Sequence, residues 1–349
     1  MVARLALHLF SLAILVSCAA SPRGSTGRYA PLGDIGVRSF DVRMRYLRMP
    51  SGLRVLIEED HRSPIVGVVA VVGAGAAADP TGREGLANLA ARLTLRARPS
   101  ALATLRAELE RAGAGRLGAF ADLDAAVFSA FAPKGALADL LRLESTRLLY
   151  PVAGLDPAQV AIERDVIASE LRTRHEAGDP MDLLPVMQAA LFPPQHPYAR
   201  PTLGTAESLA RISLADVQAF TRQNYRADRM TLLILGDVDM DLLGGIVATS
   251  LHAELLGDPT HPEPPPHSPL PLAPPAPPPA QAGLKHCQAD VQTPEIWIGW
   301  SLPSGYRPDT VPPDFLANII SNTLAQPPRG QGELAQQLSV AGGDQGAPA

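Results

Sequence analysis

Several things are scarce in this chain, and each scarcity removes a class of explanation. Aromatic residues make up only 5% of it, so any core must be built mostly from Ala, Leu and Val. There are two cysteines, Cys18 and Cys287, which allow one disulfide at most. Positive charge is not in excess: the formal net charge is −5. Without a basic surface to hold phosphate backbones, nucleic-acid binding has no electrostatic support. Beyond the first twenty residues no run is long and apolar enough to cross a bilayer. What is present is 349 residues, 46% of them apolar, which excludes wholesale disorder and suffices for two domains with hydrophobic cores.

The first residues read as a targeting segment. Arg4 supplies the positive start, and Leu5 to Val16 form an apolar run broken only by His8 and Ser11. The run ends in Leu15-Val16-Ser17-Cys18, followed by Ala19, Ala20 and Ser21. This resembles a bacterial lipoprotein signal, which implies a signal over 1–18 and lipid attachment at Cys18; an ordinary secretory signal with Cys18 incidental is the open alternative. Two or three acyl chains give stable anchoring where one does not. By analogy with enteric sorting, Ala19 points to the outer membrane, facing the periplasm.

Composition then divides the rest. Residues 19–42 lack periodicity and read as a tether. Folded structure is expected over 43–257. A hairpin turns at Pro50-Ser51-Gly52, and Ile65 to Val72 is a β-branched run fit for a buried strand. Helices are expected over Glu84 to Arg98, Leu102 to Ala112, Lys134 to Leu149, Pro157 to Glu176, Pro180 to Leu191, Ser213 to Asn224 and Leu242 to Leu255. Strands are expected over Ala125 to Ala132 and Met230 to Leu235, with a turn over Gly113 to Gly118. The fold class is α+β, a mostly antiparallel sheet with helices packed on one face. Residues 258–284 are a proline-rich linker, with 12 prolines between Pro259 and Ala280. Over 285–349, Glu295 to Leu302 reads as a strand and Pro313 to Leu324 as a helix.

The order of pieces carries a family likeness. Leu53-Arg54-Val55, Gly73-Ala74-Gly75-Ala76, Gly85-Leu86-Ala87, His196-Pro197-Tyr198, Leu203-Gly204-Thr205, Ile212-Ser213, Asn224-Tyr225 and Leu235-Gly236-Asp237-Val238 follow one another over about 190 residues. In that order they resemble one half of a pitrilysin/insulinase-type zinc metallopeptidase. Ile296-Trp297-Ile298-Gly299-Trp300 is similar to the start of the homologous second half, so 285–349 would be part of such a half.

The resemblance implies chemistry that the residues do not supply. Catalysis in that family needs His-x-x-Glu-His on a helix, where positions i, i+3 and i+4 share a face. Two imidazoles then hold zinc while the glutamate activates water. Aligned on Gly85-Leu86-Ala87, this chain has Asn88 and Arg92 at the two histidine positions and Ala91 at the general base. Glu170 stands at the third ligand and Glu163, seven residues earlier, at its supporting carboxylate. The bland alternative is a solvated, salt-bridged face formed by Glu163, Arg164, Glu170, Arg172 and Arg174. A middle course pairs Arg92 with Glu170, the guanidinium replacing the metal as counter-charge. His61, His175 and His196 have no metal-type spacing. The edge strand that would hold substrate has Gly118-Ala119-Phe120-Ala121 where the family often has Asn-Ala-x-Thr. Ser339 and Gly346 fall where an Arg and a Tyr would grip it.

The expectation is therefore a noncatalytic homologue, lipid-anchored in the bacterial envelope. It would need no cofactor and would serve as partner or scaffold of an active homologous peptidase subunit, helping to enclose a peptide. Two rivals stand beside it: an active zinc endopeptidase with an unrecognised ligand set, and a truncated member without function.

Overall fold

A computed structural model describes residues 44–258 apart from 101 and 102, together with residues 286 and 299. The expected signal, tether and proline-rich linker, and the strand and helix anticipated after it, lie outside the described residues, Gly299 and His286 excepted.

Six strands form one sheet. They are β1 (Met44–Arg48), β2 (Arg54–Glu59), β3 (Ile65–Val72), β4 (Gly115–Ala121), β5 (Ala126–Pro133) and β6 (Met230–Gly236), in the spatial order β1-β2-β6-β3-β5-β4. Only β2 and β6 run parallel; the other pairs are antiparallel. Along each strand alternate residues point to one face, and Val55, Ile57, Val66, Val68, Ala70, Phe128, Ala130, Leu232 and Ile234 are buried there.

Helices cover that face. The chain order continues with α1 (Leu86–Leu93), α2 (Leu105–Arg111), α3 (Leu137–Leu149), α4 (Pro157–Glu176), α5 (Leu184–Leu191), α6 (Ala206–Ala210), α7 (Leu214–Asn224), α8 (Met240–Ser250) and α9 (Ala253–Leu256). α1, α2 and α3 pack on the sheet; α4 and α7 pack on α1, and α8 on α3. Leu86, Leu89, Leu93, Leu140, Leu141, Val160, Ile167, Val217 and Val247 join the sheet residues in one core. Full burial of each such side chain contributes roughly 1.5–3 kcal/mol. No helix among the described residues is long and apolar enough to cross a membrane.

Four local expectations need correction. The helix read over Glu84 to Arg98 stops at Leu93, because Leu95 and Arg96 bond back three residues rather than four and Thr94 Oγ1 donates to Ala91 O at 2.7 Å. The helix read from Leu102 begins at Leu105, capped by Thr104. The glycines of 113–118 do not all make a turn: β4 starts at Gly115 and carries a bulge before Gly118, where a Cβ would strike Ser129 Oγ on the neighbouring strand. The closing helix is broken between Ser250 and Ala253. There His252 N donates to Ser145 Oγ at 3.1 Å and its ring meets Thr146 Oγ1 at 2.9 Å, both on α3. The short helix α6 was not anticipated; Thr205 and Ser208 cap it reciprocally.

Candidate functional site

The separate motifs of the sequence converge on the start of α1. Gly85 precedes the helix with φ 92°, a conformation that costs a glycine little. The Asp79 carboxylate accepts from Gly85 N and Ala87 N, both at 2.8 Å, and so satisfies two orphan donors of the first turn. Burial pushes this carboxyl up to about 7, against the pull of the two backbone donors. Arg200, in the chain after His196-Pro197-Tyr198, donates to Asp79 O at 2.7 Å and Ala77 O at 3.1 Å. Tyr198 Oη donates to the Asp124 carboxylate at 2.6 Å, which ties the same stretch to the β4–β5 turn. Ser208 Oγ donates to Glu84 O at 2.8 Å. Helix α1 is thus held at its N-terminus from three directions.

Helix α4 is positioned by its own sequence. Asp156 and Gln159 form a capping box and Pro157 occupies the first turn, where its missing N–H is not needed. Val160, Glu163 and Ile167 are its buried residues, so Glu163 lies on the face turned to the core.

Between the two helices runs a chain of alternating charges. Arg92 Nε donates to Glu163 Oε1 at 2.9 Å, and Arg92 Nη1 to Glu170 Oε2 at 2.8 Å. Arg96 Nε donates to the other oxygen of Glu163, and Arg174 Nη2 to Glu170 Oε1 at 2.6 Å. The pairing anticipated with Glu170 therefore takes in Glu163 as well. Arg96 and Arg174 extend it. Their signal in the sequence was the four-residue spacing of Arg92 from Arg96 and of Glu170 from Arg174. A purely solvated face does not describe this arrangement, since the Glu163 side chain is only 6% exposed and that of Arg92 24%. Arg164 stands apart, donating to Ala210 O and Ile212 O. Burial works against the Arg92 charge, but the two carboxylates outweigh it and hold the guanidinium above its ordinary range.

The remaining positions of the expected zinc motif face inward. Ala91 is fully buried. Asn88 is buried too; its Nδ2 donates to Ala121 O at 3.2 Å, at the end of edge strand β4, and its Oδ1 has no protein partner. These residues do not fit zinc. One amide oxygen, a methyl group and a guanidinium replace His, Glu and His, and both nearby carboxylates are already engaged by cations. With three guanidiniums against two carboxylates the cluster is net positive, which repels a further cation. Among the described residues no three His, Cys, Asp or Glu side chains are grouped to hold a metal. His61 lies between Glu59 and Asp237, His175 pairs with Asp182, and His196 stacks on Phe192. Ser339, Gly346 and Cys18 lie outside the described residues.

A second charged pair was missed in the sequence. Glu144 and Arg147 on α3 are both fully buried, with Nη2 3.2 Å from Oε1. Arg147 Nη1 donates to Gly118 O of β4 at 3.2 Å, and its guanidinium lies 5.3 Å from the Phe128 ring centroid. The i, i+3 spacing was the available signal, hidden because exposed helices carry the same spacing.

A family model described as the Peptidase M16 inactive domain matches residues 211–345. An uncharacterized zinc protease of Mycobacterium bovis is 28% identical over 212 residues, covering 61% of this chain and 48% of that protein. The beta subunit of the mitochondrial-processing peptidase of Blastocladiella emersonii is 29% identical over 202 residues, or 55% of this chain and 40% of that one. The chain thus spans about half the length, or less, of the curated relatives it matches. The solved structure of a protease from Helicobacter pylori superposes with a TM-score of 0.55 at 18% identity, over 65% of this chain and 54% of that chain, a likeness of fold.

Proposed function

We propose that this chain, a member of the pitrilysin/insulinase-type metallopeptidase family, is a noncatalytic subunit that supports a zinc-bearing homologue. The observation that carries the reading is the Arg92 guanidinium bonded at once to Glu163 and Glu170. The two carboxylates that would serve a metal instead neutralise an arginine. Without a general base at Ala91, any residual hydrolysis would lack a contribution of roughly 10²–10⁴ in rate.

What remains useful in such a subunit is its surface. Strand β4 is an edge strand, and its backbone can pair with an extended peptide. In this reading the chain helps to enclose a peptide that its partner cuts. The sequence around Cys18 supports a lipid anchor at the bacterial outer membrane, facing the periplasm, which would concentrate the pair at one surface.

The test is the zinc content of the full chain, purified, incubated with zinc and passed through gel filtration. Metal below about a tenth of an equivalent, with no peptidase activity alone, is expected. Near one equivalent would sink the noncatalytic reading. Recovery of a stoichiometric complex with a homologue carrying His-x-x-Glu-His, active only as that complex or more active in it, is the positive result. Mass spectrometry of the N-terminal fragment for diacylglycerol on Cys18 tests the anchor separately.

A further inference from the structure

One residue of the open edge strand is held against its backbone preference. Among the described residues Arg116 of β4 is the only non-glycine residue with a positive φ, 49°. A Cβ makes that left-handed conformation costly, whereas glycine adopts it freely. Arg116 sits in the β4 bulge, where the register passes from Gly115 opposite Phe131 to Gly118 opposite Ser129. Residues 116 and 117 therefore face the single Ala130 of β5, and a bulge of this kind re-aims a side chain. The neighbouring Gly115 has no positive φ, and a Cβ there would meet nothing within 4 Å. Backbone preference alone would set these two residues the other way round, with glycine at 116. The backbone thus gives no reason for an arginine here.

Its side chain is exposed, and among the described residues no carboxylate pairs with it. Arg92, Arg96, Arg106 and Arg174, by contrast, each have a glutamate partner. Arg116 therefore presents an uncommitted planar fork of N–H donors, the geometry that takes a carboxylate by two bonds at once. The free backbone of β4 lies beside it. Asp122 N donates to Ala125 O at 2.8 Å, and bonded pairs alternate along an antiparallel ladder. Phe120 and Gly118 accordingly turn their backbone groups to β5, while Ala119 and Ala121 turn theirs to the open edge. Asn88 Nδ2 already takes Ala121 O. The unclaimed stretch of edge is thus the part nearer Arg116. Phe120, 48% exposed, offers an apolar contact at the far end of that stretch.

We propose that Arg116 is a specificity-determining residue for the peptide that β4 receives, and that it selects an acidic side chain in that peptide. The inference rests on the reading of β4 as a peptide-binding edge and names the chemical class that edge prefers. An extended chain pairing with Ala119 through its backbone brings alternate side chains to one face of the sheet. An Asp or Glu among them meets the guanidinium at the bulge, and an apolar residue meets Phe120. The two contacts lie less than about 14 Å apart, since Arg116 and Phe120 are separated by four steps of strand at about 3.4 Å each. Backbone pairing supplies affinity with little regard to sequence, and the ion pair supplies the choice.

Fluorescence polarisation on the full chain tests it, with labelled peptides of about ten residues. The peptides are built of Thr, Val and Ala and carry a single Glu, Gln or Lys, moved through each position in turn. At one position the Glu peptide is expected to bind the wild type about tenfold more tightly than its Gln counterpart, with the Lys peptide weakest. Arg116→Gly, which relieves the backbone and should fold as stably as the wild type, abolishes the difference. Arg116→Glu reverses it in favour of Lys, a change that a merely structural role for Arg116 would not produce. Equal binding of Glu and Gln peptides at every position overturns the proposal and leaves the peptide-receiving edge standing. A Glu preference that survives Arg116→Gly also overturns it, since another cation would then be selecting. Binding of no peptide at all overturns the proposal together with the reading of β4 as a peptide edge.

Discussion

Arg92 Nη1 lies 2.8 Å from Glu170 Oε2, and this bond joins α1 to α4 across 78 residues of sequence. The same guanidinium reaches Glu163, so one side chain bridges two carboxylates that α4 presents about two turns apart. Bonds from a charged donor are stronger than neutral ones, and here they sit partly out of water.

Removing that centre should cost more than removing its outer carboxylate. Arg92→Leu is expected to lower stability by about 1–2 kcal/mol, because Glu163 is buried and keeps only Arg96. Glu170→Gln, at a side chain 33% exposed, should cost less than about 1 kcal/mol. Urea denaturation of the two variants measures both. A loss with Glu170→Gln and none with Arg92→Leu would count against the pairing.

The retained carboxylates allow a metal site to be rebuilt. Asn88→His, Ala91→Glu and Arg92→His together restore His-x-x-Glu-His opposite Glu170, with the guanidinium removed. Zinc measured by mass spectrometry after gel filtration should rise from below about a tenth to near one equivalent. Because Ala91 is fully buried and a glutamate there crowds the core, the double variant without Ala91→Glu is the control. It should bind zinc as well and hydrolyse nothing.

The buried pair on α3 predicts non-additivity. Arg147→Met leaves Glu144 buried without its counter-ion, and is expected to cost about 3–5 kcal/mol. Burial already drives the two groups toward neutrality, raising Glu144 and lowering Arg147. Replacing both, as Glu144→Leu with Arg147→Met, should recover most of the loss. A double variant as unstable as the single one would show that the bond to Gly118 O, not the charge balance, is what matters.

A pH dependence follows from His61. Its hydrogen bonds to Asp237 and Glu59, both at 2.7 Å, raise it above the ordinary 6.5. Lys134 also pairs with Asp237, at 2.8 Å. For a raised histidine the contribution to stability is full below about 6.5 and is lost as pH rises through the folded value. NMR titration should place the His61 midpoint above 6.5. The denaturation midpoint of His61→Gln should vary less between pH 6 and 8 than that of the wild type.

Much of the fold was legible because its determinants are local. The β-branched run Ile65–Val72 became β3 with the same ends, and Asp156-Pro157 opened α4 where capping chemistry says a helix begins. Errors arose where tertiary contacts decide. Helix α1 ends early because the chain turns to bond Arg98 N to Ala153 O. The closing helix breaks where His252 is drawn to Ser145 and Thr146. Gly118 read as a turn residue, whereas the structure uses its missing side chain to admit Ser129.

The sequence by itself determined which side chains occupy the motif positions: Asn88, Ala91 and Arg92 on one helix, Glu163 and Glu170 on another. Helical spacing then fixed that each set shares a face. Only the tertiary structure decided that the two faces meet, that Glu163 is buried, and that Arg96 and Arg174 complete the cluster. The reason is physical. Spacing within a helix follows from the backbone's 3.6-residue turn, but contact between helices depends on how their apolar faces pack against a common sheet.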